Sequence, residues 1–316
     1  MITKNVVLVL GAGASKPYGF PLGGELLNWV IDKASNAIAG TLESYGYAIS
    51  TFEEFRSELR HSSLPSVDAF LEKRKEFFDI GKAVMAYYLI KREDDDILYS
   101  TKNKENWFRY LYQMMDTDDL DEFSENKISF ITYNYDRSLE CMLYNALYAK
   151  LPNDTIRAKD KTTELLEKIP IIHVHGKIGK FQVSEPEYPF LNWNSRPYNT
   201  AISPDVLKTA TDGIRVIHED IDDDPVFKEA HELLRKAECV IFLGFGYHPK
   251  NVERLRLPEH FSGFVEGTTF GITKSEFESK VVRMFQGNNY NNLRRYVSNE
   301  NQTVLGFLRN NNHLFI

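Results

Sequence analysis

Asn, Asp and His residues follow two apolar runs of the chain, and their side chains could act together on a polar ligand. Asn134 and Asp136 come just after the run ISFIT, and His175 comes directly after PIIHV. An imidazole with an ordinary pKa of about 6.5 is mostly unprotonated at neutral pH and can therefore accept a proton. The pattern predicts His175 as a base, with Asn134 and Asp136 beside it at a ligand site.

The spacing of residues within these two motifs predicts which side chains lie at the ligand site and which lie deeper in the core. Alternation in an extended chain sends Thr132, Asn134 and Asp136 to one side. Asp136 also suits the cap of a helix predicted over RSLECMLYNAL, and it could cap that helix while contacting a ligand. His173 faces the same way as His175 but lies further from the end of the run. We therefore interpret it as a hydrogen-bonded core histidine.

A glycine-rich segment follows the first apolar run, NVVLVL. It contains Gly11, Ala12, Gly13 and Ser15. Glycine lets a backbone approach a diphosphate closely, and free amides at a helix start favour an anion. A plain tight turn would use the same residues, since short glycine motifs are frequent by chance. Lys16 stands where the common dinucleotide fingerprint has its third glycine. No acidic residue is predicted at the end of a second strand about twenty positions further on, since Asp32 falls inside the first helix, and this weakens the hypothesis of a hydride-transfer enzyme.

A second glycine pair follows the run CVIFL near the C-terminal third. Gly244 and Gly246 would permit close approach of the backbone to a ribose or an adenine. His248 precedes Pro249 and is interpreted as a turn residue.

The apolar runs predict the elements that must position these residues. NVVLVL, ISFITYN, PIIHVHG and CVIFLGFG predict buried strands, and GTTFGIT at 267–273 predicts a weaker fifth strand. Helical spacing follows the glycine loop and predicts a helix ending near Gly40. A second helix is expected where Asp224 caps and Pro225 begins it, with Phe227 on its buried face. The alternation predicts an α/β fold, a Rossmann-like parallel sheet with helices on both faces.

Two stretches depart from this alternation. Residues 45–125 are rich in Glu, Lys, Phe and Tyr without a buried-strand pattern, which predicts a helical insertion. Residues 177–215 carry four prolines and are expected to form loops over the strand ends. Without a low-complexity linker, residues 1–316 are predicted to form a single domain.

Composition limits the class of protein. The 316 residues carry a net charge of −7, which disfavours nucleic acid as the main partner. No apolar run approaches the roughly 18 residues of a membrane span, and we expect a cytoplasmic protein. The two cysteines, Cys141 and Cys239, are too few for a four-thiolate zinc site, so we expect no metal.

Taken in order, the motifs resemble the sirtuin family. Sirtuins carry G-A-G-x-S, three residues, G-x-P, and later T-x-N-x-D and His-Gly. The matching segments are 11–15, 19–21, 132–136 and 175–176. The match covers the predicted sheet-forming core.

Departures from the deacylase sirtuins narrow the resemblance. Their four-cysteine zinc ribbon is not possible here, and their Asp-Phe-Arg after G-x-P is replaced by LGG. Their later G-T-S becomes GFG. The chain is therefore most similar to the zinc-ribbon-less sirtuin-like NADases of bacterial anti-phage defence, and the resemblance implies an NAD hydrolase that cleaves the nicotinamide–ribose bond.

Residue roles follow from this resemblance. It implies that Asn134 contacts the nicotinamide ribose or the attacking water, that Asp136 contacts the nicotinamide amide, and that His175 is the base. The other NAD contacts it implies are Gly11, Ala12, Gly13, Ser15, Gly19, Pro21, Thr132, Gly244 and Gly246. Ser15 and the amides of the first loop would hold the diphosphate.

Regulation and alternatives stay open at this point. An unrestrained NADase would harm its host, so we expect control by homo-oligomerisation or by a partner defence protein such as a motor ATPase. The first alternative is a non-catalytic NAD- or nucleotide-sensing subunit of a larger assembly. An NAD-dependent protein deacylase is the second, and the missing zinc ribbon disfavours it.

Overall fold

The centre of the molecule is a five-stranded parallel sheet. The computed structural model describes residues 1–32, 36–152, 156–181, 195–216, 221, 223–255, 257, 261, 263–273, 275–276, 279 and 301–316. The strands of this sheet are β1 (Val6–Leu10), β2 (Ile128–Thr132), β3 (Ile171–His173), β6 (Cys239–Leu243) and β7 (Phe264–Gly267). Two short strands, β4 (Lys180–Phe181) and β5 (Ser195–Arg196), pair separately.

The strand order, β3-β2-β1-β6-β7, creates a crevice beside β1. The chain moves outward from β1 in one direction through β2 and β3, and β6 then returns to the other side of β1. Leu10 pairs with both Thr132 and Leu243, so the three central strands end at the same level. Open α/β sheets bind their ligands at such a reversal of strand order, beyond the carboxyl ends of the strands.

Helices cover both faces of the sheet, and the predicted fold class is confirmed. The helices are α1 (Ala12–Ser15), α2 (Gly23–Asp32), α3 (Asn36–Ser44), α4 (Ile49–His61), α5 (Val67–Leu71), α6 (Phe78–Ile90), α7 (Asp95–Leu98), α8 (Trp107–Met115), α9 (Ser138–Tyr148), α10 (Ile156–Glu167), α11 (Pro204–Gly213), α12 (Pro225–Lys236), α13 (Pro249–Leu255) and α14 (Val304–Asn310). Val6, Leu8 and Leu10 pack into a core that includes α6 and α8, whereas Val7 and Val9 pack with α12. A strand buried on both faces explains the continuous apolar run.

The stretch 45–125 is helical, as predicted. It contains α4, α5, α6, α7 and α8 with short 3₁₀ turns between them. Most of α6 is buried, because it runs through the middle of this insertion and packs against α11 as well.

The predicted helix α12 is also confirmed. Asp224 accepts hydrogen bonds from the amides of Val226 and Phe227, and Pro225 occupies the first helical turn. Phe227 is fully buried against the sheet. In the described part of the chain, no helix is long and apolar enough to cross a membrane.

Three predictions about the positions of helices and strands are wrong. Gly40 lies inside α3 instead of ending the preceding helix. Burial of Ile38 and Leu42 on the inner face of α3 outweighs the cost of about 1 kcal/mol for an exposed helical glycine. The fifth strand is Phe264–Gly267 rather than 267–273, because its pairing with β6 runs only from Cys239 to Phe242.

The third correction concerns 177–215. This stretch contains α11 and the short strands β4 and β5 in addition to loops. Ser203 caps α11 by accepting a hydrogen bond from the amide of Val206, and Pro204 occupies the first turn. Serine before proline is a helix-start signal, so this proline marks a beginning rather than a loop.

Candidate ligand-binding site

A cavity of about 490 Å³ opens at the carboxyl ends of the central strands. Its walls come from the loops after β1, β2, β3 and β6 and from the insertion segment around α5. This volume lies within the range of about 300–1,000 Å³ that is usual for ligand pockets. Its position matches the crevice that the strand order creates.

The structure brings most of the predicted site residues to this cavity. Those that line it are Gly11, Ala12, Ser15, Pro21, Asn134, Asp136, His175 and Gly246. Four predicted residues are not among the lining residues: Gly13, Gly19, Thr132 and Gly244. Gly19 ends the 3₁₀ turn Lys16–Tyr18, and the Thr132 hydroxyl accepts a hydrogen bond from the Asn134 amide. Both support the site from behind.

Glycines allow the backbones of the two loops to lie in direct contact. The Gly13 amide donates to the Gly244 carbonyl at 2.9 Å. A Cβ built on Gly244, whose φ is +57°, would lie 2.1 Å from the Ala14 nitrogen, and one on Gly13 would lie 2.8 Å from the Gly244 Cα. Gly13 and Gly244 are therefore required for packing of backbone on backbone, whereas a side chain at Gly246 would meet open space.

Ser15, Asn134 and Asp136 form one buried hydrogen-bond network. The Ser15 hydroxyl donates to Asp136 Oδ2 at 2.6 Å and accepts a bond from Asn134 Nδ2 at 2.9 Å. Asn134 Nδ2 also donates to the Gly11 carbonyl. Both amide hydrogens of Asn134 are thus used, and its Oδ1 has no partner among the described residues. The network leaves Asn134 as an acceptor for a ligand hydroxyl or a water.

Asp136 lies at the start of a helix and at the cavity wall, the two places that the sequence predicts for it. Its Oδ1 accepts a hydrogen bond from the amide of Ser138, the first residue of α9, and its side chain lines the cavity. The N-cap position itself is held by Arg137. Burial raises the pKa of the Asp136 carboxyl, and hydrogen bonds from Ser15 and Ser138 partly offset this rise. A buried carboxyl of this kind suits a ligand that donates hydrogen bonds, such as a carboxamide.

His173 is a core histidine, as interpreted from the sequence. Its Nδ1 lies 2.9 Å from the Asn134 carbonyl oxygen, and its Nε2 lies 2.9 Å from Glu140 Oε1. Lys177 also donates to that Glu140 oxygen. Burial alone would raise the pKa of Glu140, but the charges of Lys177 and His173 hold it well below its ordinary value. This cluster secures the β3 end beneath the site.

His175 differs from His173 because it keeps an unused nitrogen. Its Nε2 is buried and has no hydrogen-bond partner among the described residues. The imidazole lines the cavity and packs edge-on against Tyr133, with ring centroids 5.2 Å apart. Burial lowers the pKa of His175, an effect only partly opposed by the carboxylate of Asp68. The neutral imidazole is therefore favoured, as a general base requires.

The other side of His175 faces residues that the sequence reasoning did not select. His175 Nδ1 lies 3.5 Å from the Tyr135 hydroxyl. That hydroxyl donates a hydrogen bond to Asp68 Oδ1 in α5. Tyr135 stood inside the TYNYD motif, but no local pattern connects it to Asp68, which lies 67 residues earlier.

The insertion also holds the glycine loop in place. Trp107 Nε1 donates a 2.7 Å hydrogen bond to the Ala14 carbonyl, and the Phe108 amide donates to the Tyr18 hydroxyl. The Tyr18 and Phe108 rings stack with centroids 4.1 Å apart. The insertion is thus part of the site, because it contributes α5 to the wall and α8 to the support of the loop.

The amides of the glycine loop are mostly committed within the protein. Gly11 donates to Leu243, Gly13 to Gly244 and Ala14 to Gly11. The Ser15 hydroxyl donates to Asp136 rather than toward the cavity. The predicted anion cradle therefore lacks most of its expected donors.

Cationic side chains stand elsewhere on the cavity wall. Glu72, at the end of α5, pairs with Lys250 Nζ at 2.8 Å and with Arg254 Nη1 at 3.0 Å. Lys73 also lines the cavity and has no ion-pair partner among the described residues. Arg254 is not among the lining residues, so this part of the wall presents the two cations Lys73 and Lys250 beside Glu72, which Arg254 also neutralises.

Comparison with known proteins adds no family assignment. No model of a protein family matches the chain, and a search of curated proteins returned no match. Within the described residues there is no group of three or more His, Cys, Asp and Glu side chains that could hold a metal ion.

Proposed function

We propose that the protein hydrolyses NAD at the bond between nicotinamide and ribose. The observation that carries the proposal is the convergence of Asn134, Asp136 and His175 at one cavity. His175 Nε2 has no hydrogen-bond partner among the described residues. An acceptor, a buried carboxyl and a neutral imidazole are the groups that such a cleavage requires. The resemblance to sirtuin motifs supports the same substrate.

The reaction exchanges one bond at the ribose anomeric carbon for another. The carbon–nitrogen bond to nicotinamide breaks, its electron pair leaves with neutral nicotinamide, and positive charge develops on the ribose, as in glycoside cleavage. The oxygen of a water forms the new bond. His175 Nε2 takes the proton of that water, while Asn134 Oδ1 accepts a hydrogen bond that orients the water or a ribose hydroxyl. Asp136 accepts from the nicotinamide amide.

The diphosphate is assigned to Lys73 and Lys250 in this proposal. The loop amides and Ser15 are mostly engaged with protein partners, whereas both lysines line the cavity. Lys250 would exchange part of its contact with Glu72 for a phosphate oxygen. Arg254 would keep Glu72 neutralised during this exchange.

The test follows nicotinamide release from NAD by chromatography. His175→Ala and Asn134→Ala should each lose about 100-fold or more in rate, since a positioned base contributes about 10²–10⁴-fold. His313→Ala and Asn312→Ala, at exposed positions, are matched controls that should keep the parental rate. ADP-ribose binding checks that each variant is folded.

Three other results would contradict the proposal. Parental rates in both site variants would remove these residues from the chemistry. NAD binding without any release would favour a nucleotide sensor, the first alternative function. Release that depends strictly on an acylated peptide would favour a protein deacylase.

A role in anti-phage defence extends the proposal through the resemblance alone. NAD depletion would then occur in infected cells, under the control of self-association or of a partner such as a motor ATPase. Expression of the parent and of His175→Ala, with cellular NAD measured during infection, tests this role. Equal NAD levels in the two strains would contradict the defence role. Full activity of a dilute, isolated monomer would contradict regulation by self-association or by a partner.

A further inference from the structure

Asp68, Tyr135 and His175 form a continuous polar chain behind the base. Asp68 lies in the first turn of α5, whose cap is Ser66. The Tyr135 hydroxyl donates its hydrogen to Asp68, so only its oxygen lone pairs remain for His175 Nδ1. A hydroxyl that can only accept requires a hydrogen on the nitrogen that faces it.

We infer that Asp68, acting through Tyr135, is a positioning residue that holds His175 with its hydrogen on Nδ1 and its lone pair on Nε2. This inference rests on the proposed function for its catalytic meaning. Of the two nitrogens, Nε2 is the one without a partner among the described residues. The chain therefore engages the protonated nitrogen and leaves the lone pair of Nε2 free of any described protein donor.

The distances suit a site that closes on its ligand. The contact of 3.5 Å between His175 Nδ1 and the Tyr135 hydroxyl is longer than the usual range of about 2.7–3.2 Å for such a hydrogen bond. Catalytic hydrogen bonds are often long before substrate binds and shorten in the complex. Asp68 and Tyr135 both line the cavity, so a bound substrate would press on the chain directly.

The charge of Asp68, like the hydrogen-bond chain, makes His175 a better base. The carboxylates of Asp68 and Glu72 raise the pKa of His175, whereas burial, Arg254 and Arg215 lower it. Without the Asp68 charge, the imidazolium would be less stable and the pKa of His175 would fall further. The acid limb of the activity profile would then move to lower pH, while the plateau would fall because the imidazole is no longer oriented.

The first experiment measures the pH profile of nicotinamide release for Asp68→Asn, Asp68→Ala and Tyr135→Phe. We expect kcat to fall by about 10- to 100-fold with KM changed less than threefold in all three variants. The acid limb should move to lower pH in the two Asp68 variants, which lose the carboxylate charge, and should move less in Tyr135→Phe, which keeps it. Asn keeps an acceptor for Tyr135, so Asp68→Asn should lose less than Asp68→Ala. The control Asp79→Asn replaces an exposed carboxylate of the same insertion and should leave the profile unchanged. A fall in kcat with an unmoved acid limb in both Asp68 variants would overturn the inference.

The second experiment reads the imidazole without any turnover. Nitrogen-15 NMR of protein with labelled histidines reports the tautomer and pKa of His175, assigned by its loss in His175→Gln. We expect the hydrogen on Nδ1 in the parent and a mixed tautomer in Tyr135→Phe. If the parent is inactive, but its His175 carries the hydrogen on Nδ1 and Tyr135→Phe loses this preference, the proposed function fails and the positioning stands. An active parent whose His175 spectrum is unchanged by Asp68→Asn and Tyr135→Phe would overturn the positioning alone.

Discussion

The Ser15 hydroxyl donates a 2.6 Å hydrogen bond to Asp136 Oδ2, and this contact ties the loop after β1 to the end of β2. Ser15 and Asp136 are 121 positions apart in the chain, and both side chains are buried. Asn134 donates to the same hydroxyl, so one network connects three residues that line the cavity.

Removal of this hydroxyl should destabilise the fold and loosen the site. Ser15→Ala leaves a buried carboxylate oxygen of Asp136 without its donor, which costs about 1–3 kcal/mol in the free energy of unfolding. Urea unfolding measures the change, and ADP-ribose affinity should fall with it. Ser44→Ala removes an exposed hydroxyl and is the control. Equal stability of the two variants would show that the Ser15–Asp136 contact contributes nothing.

Stability should depend on the ionisation of Glu140. The pKa of its carboxyl is held below the ordinary value by Lys177 and His173 despite burial. A carboxyl whose pKa is lower in the folded state stabilises the fold at pH values above its unfolded pKa of about 4.3. This stabilisation is lost as the pH falls from that value toward the folded pKa. Glu140→Gln should therefore lower the free energy of unfolding by about 2–4 kcal/mol at pH 7, with a smaller deficit near pH 3. Denaturant unfolding at both pH values provides the measurement, and a deficit independent of pH would contradict the linkage.

The contact between the two glycine loops predicts that Gly244 and Gly246 differ in how well they tolerate a side chain. Gly244→Ala places a Cβ against the Ala14 nitrogen at positive φ and should cost about 3 kcal/mol or more. Gly246→Ala meets no atom within 4 Å and should change stability by less than about 1 kcal/mol. Thermal unfolding compares the two variants. Similar losses for both would mean that the loops are not in this close contact.

The assignment of the diphosphate predicts which ligands depend on the lysines. Lys73→Gln and Lys250→Gln should each weaken ADP-ribose binding about tenfold, because a charge-assisted contact contributes about 1.5–3 kcal/mol. Binding of nicotinamide riboside, which lacks the diphosphate, should change little. Calorimetry measures both ligands, with Lys236→Gln at an exposed position as the control. Unchanged ADP-ribose affinity in both variants would return the diphosphate to the glycine loop.

Local sequence was sufficient for the elements and for much of the site. The mainly apolar runs predicted four of the five strands of the sheet, since a strand buried on both faces is predominantly apolar. Polar residues at the ends of those runs predicted that Asn134, Asp136 and His175 would meet, because parallel strands end at one edge of a sheet. The Asp224 cap and the proline after it located α12 for the same local reason.

Long-range packing decided what the sequence pattern left open. The loop glycines suggested an anion cradle, but the approach of Gly244 to Gly13 uses their backbone groups for contact between loops. The meeting of Asp68 and Tyr135 depends on how α5 packs beside the strand ends. No periodicity or capping signal encodes a contact between two segments so distant in the chain, because such a contact is selected by the burial of whole helices against the sheet rather than by local backbone preference.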